Sequence, residues 1–301
     1  MADRLVDVRS AAPAPALAGL ILRYDGCRLA GFPPGEHLGL PSPHLEVIFS
    51  LDEPLRHADP PRHGRPARPF DALAAGLQTG PAMIVYDGSM HTVSMAVTPS
   101  GARALLGLPA AALAGAVVSL DDLLGRYASE LRERLAGAAD WPTRFALLDQ
   151  ALLAQALRNR PGSLGRRAEI DATLAYAWQR IVADPDGAIG ALAARLGYTR
   201  QHLAKRFMSE FGRTPKQVAR LARFARSRRL LREAERTRRA DPARPRPTLA
   251  EVAAGSGYYD QAHLAREWNA LAGCPPSVWV AEEQLPFVQA GADRAREGSP
   301  V

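Results

Sequence analysis

Lysine and cysteine are almost absent from this chain. Lys205 and Lys216 are the only lysines in 301 residues, so arginine carries nearly all of the positive charge. The two cysteines, Cys27 and Cys274, stand far apart. They form neither a CxxC pair nor a disulfide framework, which leaves a reducing cytoplasm as the default location. No run of about 20 apolar residues occurs, so neither a spanning helix nor a membrane partner is expected. The first residues, MADRLVDVRSAAPAPALAG, lack the apolar stretch and cleavage site of a secretory leader. P-loop, GxSxG and HExxH motifs are missing as well, and no cofactor is expected.

What positive charge there is, is segregated. Arg158–Pro247 holds 22 Lys+Arg against 8 Asp+Glu, while the rest of the chain is mildly acidic within an overall +7. An arginine-rich genome lowers the weight of any single Arg, but it does not explain this separation. A basic block of this kind is the footprint of phosphate contacts.

Within and beyond that block the chain carries one device twice. Ile189–Val218 recurs in outline at Leu249–Trp279. Ala193, Gly197 and Tyr198 match Ala253, Gly257 and Tyr258. One residue later in register, His202, Leu203, Ala204 and Lys205 match His263, Leu264, Ala265 and Arg266. Phe207, Gly212 and Pro215 match Trp268, Gly273 and Pro276. The spacing reads as a helix-turn-helix. A small Ala permits a close crossing, and a Gly takes the left-handed turn. Thr199 or Asp260 caps the next helix, and inward Leu203/Phe207 or Leu264/Trp268 stand at i, i+4. The outward residues are Arg200, Gln201, Ala204 and Lys205 in the first copy, and Gln261, Ala262, Ala265 and Arg266 in the second. Residues on the N-terminal half of such a helix reach base edges in the major groove. Double-stranded DNA is the expected partner. Arg200, Gln201, Lys205, Arg206, Gln261, Ala262 and Arg266 are the expected contacts. His202 and His263 read as helix-surface or half-buried residues that orient their neighbours, because no ligand-spaced cluster accompanies them.

The runs Gly197-Tyr198 … Phe207 … Gly212-x-x-Pro215 and Gly257-Tyr258 … Arg266 … Trp268 … Gly273-x-x-Pro276 resemble the AraC/XylS type of transcriptional regulator. The resemblance covers about the last 120 residues. It implies two helix-turn-helix units, about 188–211 and 248–272, within a DNA-binding domain over 166–287. A long linker helix over Pro215–Glu235 would join them, with Arg223 and Arg226 as its phosphate contacts. It also implies a cupin-like N-terminal domain that senses a small-molecule effector or pairs two copies into a homodimer. Two departures stand out. Arg236–Pro247 resembles an inserted, exposed loop, and Ala204 occupies a position where relatives carry a polar base-reading side chain.

Residues 17–100 differ in pattern. Leu20–Tyr24, His44–Leu51, Ala82–Tyr86 and Thr92–Val97 are short, β-prone and bracketed by turn signals, and Asp87-Gly88 reads as a hairpin turn. Helices are expected over Pro99–Leu106, Leu120–Leu135 and Trp141–Asn159, with a linker over Arg158–Arg167 and frayed ends at residues 1–16 and beyond Gln289. The fold class is therefore α+β. A small antiparallel β domain with helices covers 1–160, strands fall before about residue 100, and an all-α C-terminal domain follows.

An enzymatic alternative is a metal cupin or a DNA-repair alkyl acceptor fused to the DNA-binding module. His37, His44, His91, Glu36 and Glu46 raise the first version, and His44-Leu45-Glu46 would share one strand face. The tight His-x-His pair of a cupin metal site is missing, and no metal ligands are expected. Cys27 and Cys274 lack the motif the second version needs, and no catalytic residue is assigned.

Overall fold

The strands alternate inward and outward side chains and so build two antiparallel sheets that face one another. The computed structural model describes residues 4–58, 67–159 and 170–282. The strands are β1 (Leu5–Ala11), β2 (Ile21–Ala30), β3 (Gly35–Gly39), β4 (Leu45–Ser50), β5 (Leu55–Ala58), β6 (Arg68–Phe70), β7 (Ala72–Ala75), β8 (Ala82–Tyr86), β9 (Met90–Val97) and β10 (Val117–Ser119). One sheet has the order β1-β2-β9-β4-β7-β10 and the other β3-β8-β5-β6.

Strand β4 shows how the layers divide. Leu45, Val47 and Phe49 are buried in the main core with the helices that follow, while Glu46 and Ile48 face the gap between the sheets. Those helices are α1 (Pro99–Gly101), which continues into a wider turn over Ala102–Leu106, then α2 (Leu120–Leu124), α3 (Arg126–Gly137) and α4 (Trp141–Arg158). Helix α4 docks through its first residue. Trp141 donates from Nε1 to Asp7 at 2.7 Å and lies over Gly26, where a Cβ would meet the ring at 2.3 Å.

The structure departs from four of the expectations. Asp87-Gly88 is not a hairpin turn, because β8 pairs with β3 and β5 while β9 pairs with β2 and β4. The chain crosses between sheets there, and Gly88, at φ 106°, accepts the Phe32 N–H at 3.1 Å. Residues 1–16 are not frayed throughout: Leu5–Ala11 pairs along its whole length with β2. Strand β10 lies past residue 100 and pairs with β7. The helix expected over Leu120–Leu135 breaks at Gly125, which separates α2 from α3 at φ 59°.

The remainder is helical: α5 (Ala172–Ala183), α6 (Ile189–Arg195), α7 (Arg200–Phe211), α8 (Pro215–Ala240), α9 (Leu249–Gly255), α10 (Gln261–Ala272) and α11 (Pro276–Glu282). Helix α8 starts from a Thr214/Gln217 capping box with Pro215 at its first turn. It runs five residues into the segment expected as a loop. Only Asp241–Pro247 leaves the helix, and Arg238 and Arg246 both pair with Glu235. The linker expected over Arg158–Arg167 falls, from 160 onward, outside the described residues, as does the tail beyond Gln289.

The strand-rich part rests on the helical part along two strips. In the first, Arg103 grips Glu210 at the end of α7, Arg213 donates to the Leu77 carbonyl, and Gly212 abuts Ala111 and Ala114. The main core runs without interruption from Leu17 through Leu113 to Phe207 and Phe211. In the second, Leu40 joins a smaller core with Leu221, Phe224, Leu264 and Trp268, and its carbonyl accepts from Arg228 at 3.4 Å.

Candidate nucleic-acid interface

The two repeats turn their corners with the same backbone bond. After α6, Gly197 takes φ 73° and the Tyr198 N–H returns to the Ala193 carbonyl at 2.9 Å. After α9, Gly257 takes φ 79° and the Tyr258 N–H returns to the Ala253 carbonyl, also at 2.9 Å. Thr199 then caps α7 by accepting the His202 N–H at 3.1 Å, and Asp260 caps α10 by accepting the His263 N–H at 2.6 Å. Both histidines lie against the tyrosine of their own corner, at 4.8 and 5.2 Å between ring centroids. Gly212 and Gly273 end the two helices in the left-handed conformation.

Packing fixes which face of each helix turns outward. Ala193, Leu203 and Phe207 are fully buried in the first unit, and Trp178 of α5 closes it against Phe211 at 4.5 Å. Leu264 and Trp268 are fully buried in the second. Trp268 reaches α8 through the Ser227 hydroxyl at 2.9 Å and through the Phe224 ring at 4.8 Å. An ion pair, Arg220–Glu267 at 2.6 Å, ties α8 to α10.

Arg200, Gln201, Lys205, Gln261, Ala262 and Arg266 are consequently exposed on the outward faces of α7 and α10. The other three expected contacts are half-buried and hold protein partners. Arg206 donates to the Tyr198 hydroxyl at 2.8 Å and pairs with Asp171 at 3.2 Å. Arg223 and Arg226 both pair with Asp186, at 3.7 and 3.5 Å. Ala204 is half-buried, so it adds little polar surface to the first face.

Sequence reasoning passed over Asp186. It precedes α6 of the first unit, yet its carboxylate lies beneath the corner of the second: a Cβ on Gly257 would meet Asp186 Oδ1 at 2.0 Å. The Asp-Pro-Asp-Gly run marks a turn, but nothing local names its distant partners. Tyr259 was passed over too. It is the extra residue in the second corner and is 94% exposed.

A cavity of about 70 Å³ lies between the sheets, with Leu40, His44, Glu46, Leu73, Gln78 and Ile84 among its walls. His44 and Glu46 share one strand face, as their spacing implied, and His44 Nε2 meets Glu46 Oε2 at 3.3 Å. Burial holds His44 below the ordinary histidine range despite that bond. Burial alone would raise Glu46, but the His44 hydrogen bond and the Arg23 and Arg228 charges hold it below the carboxylate range. The pair is thus a neutral imidazole beside an ionised carboxylate. Next to it, burial pushes Asp25 up to about 6 even though Arg23 bonds it at 2.6 Å. His91 stands elsewhere, on Asp52 at 3.2 Å. Among the described residues, no group of three or more His, Cys, Asp or Glu side chains is placed to hold a metal ion. Nor is any helix among them long and apolar enough to cross a membrane.

Residues 192–282 match the family described as "Helix-turn-helix domain", and residues 9–119 match "Domain of unknown function (DUF6597)". No curated protein matches the chain. Among solved structures the chain is similar to ToxT from Vibrio cholerae O395, at 11% identity over 86% of this chain and 96% of that one, with a TM-score of 0.48. It is similar to unsaturated fatty acid-bound ToxT from Vibrio cholerae strain SCE256, at 10% identity over 93% and 95%, TM-score 0.48. A third likeness is to the AraC-like transcriptional activator CuxR, at 17% identity over 76% and 86%, TM-score 0.26. The doubled corner, the capped second helices and the family match define the C-terminal part as a helix-turn-helix domain.

Proposed function

We propose that this chain is a sequence-specific transcription regulator with two domains, 1–160 and 166–287, and that its N-terminal domain controls its DNA-binding domain. The observation that carries the reading is the pair of corners built alike on one linker helix, each presenting an exposed polar and basic helix face. The two helices enter successive major grooves about one turn, ~34 Å, apart. Arg200, Gln201, Lys205, Gln261, Ala262 and Arg266 make the groove contacts. Arg266 suits a guanine, and Gln201 or Gln261 an adenine. Arg206, Arg223 and Arg226 hold the units in place and turn their remaining donors to phosphate.

Control through the N-terminal domain follows from where the cavity lies. Leu40 belongs both to its wall and to the strip on α8, while Gln78 in the wall adjoins Leu77 in the strip on Arg213. A small effector between the sheets would therefore press on both contacts. Pairing of two copies through the N-terminal domain is the other route to control.

The enzyme readings gain no comparable support. Burial pushes the Cys27 thiol up to about 12, which suits a packing residue better than an alkyl acceptor. The regulator acts in the cytoplasm, on duplex DNA, without a cofactor.

The test is selection of duplexes from a random pool by the full chain, followed by footprinting. Two protected patches about one helical turn apart support the reading. Recovery of no preferred sequence refutes it.

A further inference from the structure

The second corner holds one residue more than the first. Gly197-Tyr198-Thr199 leads into α7, whereas Gly257-Tyr258-Tyr259-Asp260 leads into α10, although the corner bond is the same and each cap accepts the amide of the histidine three residues on. The extra residue is Tyr259, exposed at 94%. Its neighbour Tyr258 is buried and packs on His263, so Tyr258 does the work that Tyr198 does in the first unit. Single exposed apolar side chains are common and need no explanation. Tyr259 is set apart by where it stands and by what the second unit otherwise lacks.

Charge at the two helix entries differs. The first unit opens with a neutral cap, Thr199, followed by the exposed Arg200. The second opens with an anionic cap, Asp260, followed by the uncharged Gln261. A helix N-terminus ordinarily favours a phosphate. At α10 the Asp260 carboxylate already takes the His263 amide at 2.6 Å and repels a second anion. The cation that guards the first entry has no counterpart at the second. A turn needing only conformational freedom would use Gly, Asn, Asp or Ser at the extra position. This one carries a long, rigid side chain with a hydroxyl donor at its tip, next to the helix that enters the groove.

We propose that Tyr259 anchors the second recognition helix to the DNA backbone, its ring against a deoxyribose and its hydroxyl donating to a phosphate, in the place that Arg200 fills for the first. The proposal rests on the DNA-binding reading above. It makes Tyr259 a source of affinity and register rather than of sequence preference.

The test uses the full chain, a duplex selected by that chain from a random pool, and a scrambled duplex. Y259F removes only the hydroxyl, and Y259A removes the ring as well. Y259F should weaken binding to both duplexes roughly three- to tenfold, and Y259A more. The salt dependence should stay unchanged, because a neutral donor releases no counterion. Thermal melting should be that of the wild type, which separates lost contact from lost fold. Wild-type affinity in both variants overturns the proposal while leaving the DNA-binding reading intact. A loss confined to the selected duplex also overturns it, by making Tyr259 a base reader. A wild-type chain that retains no duplex overturns the DNA-binding reading and this proposal with it.

Discussion

Arg103 of the strand-rich part holds Glu210 of α7 with two parallel hydrogen bonds, Nε to Oε1 at 2.5 Å and Nη2 to Oε2 at 2.6 Å. Both side chains are largely buried. A bidentate pair of this kind restricts orientation as well as distance. It joins a residue that follows the last long strand to the C-terminal turn of α7, on the side away from the exposed Arg200, Gln201 and Lys205. Removing one partner strands the other's charge, so Arg103→Ala and Glu210→Ala should each destabilise the fold by about 2–4 kcal/mol. The double variant should cost clearly less than the sum, with a coupling of about 1–3 kcal/mol. Urea titrations of the four proteins measure it. Additive losses would show that the contact holds nothing together.

The two corners should respond differently to the same substitution. Gly197 and Gly257 both have positive φ, so alanine strains each by about 1 kcal/mol. At Gly197 a Cβ meets nothing within 4 Å, but at Gly257 it runs into the Asp186 carboxylate. Gly257→Ala should therefore lower stability by about 1–2 kcal/mol more than Gly197→Ala. The extra loss should vanish in an Asp186→Ala background. Equal losses in the wild-type background would place Asp186 away from the second unit.

The helical units were legible in the sequence because the repeat places each Gly, cap and inward residue at fixed intervals within about 20 positions. Local rules of capping and helical period suffice for that. The strand-rich part was read less well. Ala82–Tyr86 and Thr92–Val97 each look like strands, and a Gly after an Asp looks like a hairpin turn. Sheet membership, however, is decided by β2, β3, β4 and β5, which no local rule consults. Strand β1 hides among Pro and Ala. The docking strips had no signal: Arg103 and Glu210 are 107 residues apart, Leu77 and Arg213 are 136 apart, and none belongs to a motif. Partners for Arg223 and Arg226 were missed likewise, because Asp186 lies about 40 residues away.

Stability should fall with acid. Burial lowers His37, with Arg232 and Arg228 adding to the effect. Burial also lowers His44 and His91 against their bonds to Glu46 and Asp52. Each group is neutral when folded and takes up a proton when unfolded, so stability present above the unfolded value near 6.5 is lost as pH falls through it. Asp25, raised to about 6, acts in the opposite sense below that pH, where the folded state takes up the proton first. With three groups against one, the melting temperature should drop by several degrees between pH 7.5 and 5.5, and His44→Gln should flatten that slope. A melting temperature that rises over this interval would contradict the assignment.

Asp260→Asn keeps a good N-cap and removes the anion at the entry of α10. It should leave thermal melting within about 0.5 kcal/mol of wild type. It should also tighten binding to selected and scrambled duplexes alike by a few fold at low salt, an effect that fades as salt rises. Weaker binding would show that the carboxylate itself reads DNA.

If the exposed faces of α7 and α10 read sequence, titrations of a selected and a scrambled duplex at several salt concentrations will separate base reading from phosphate contact alone. The wild-type chain should prefer the selected duplex by at least about 10³ at physiological salt. Arg266→Ala should cost about 1–3 kcal/mol on the selected duplex and almost nothing on the scrambled one. Equal affinity of the wild-type chain for both duplexes, or an equal loss on both in Arg266→Ala, would contradict base reading by these faces.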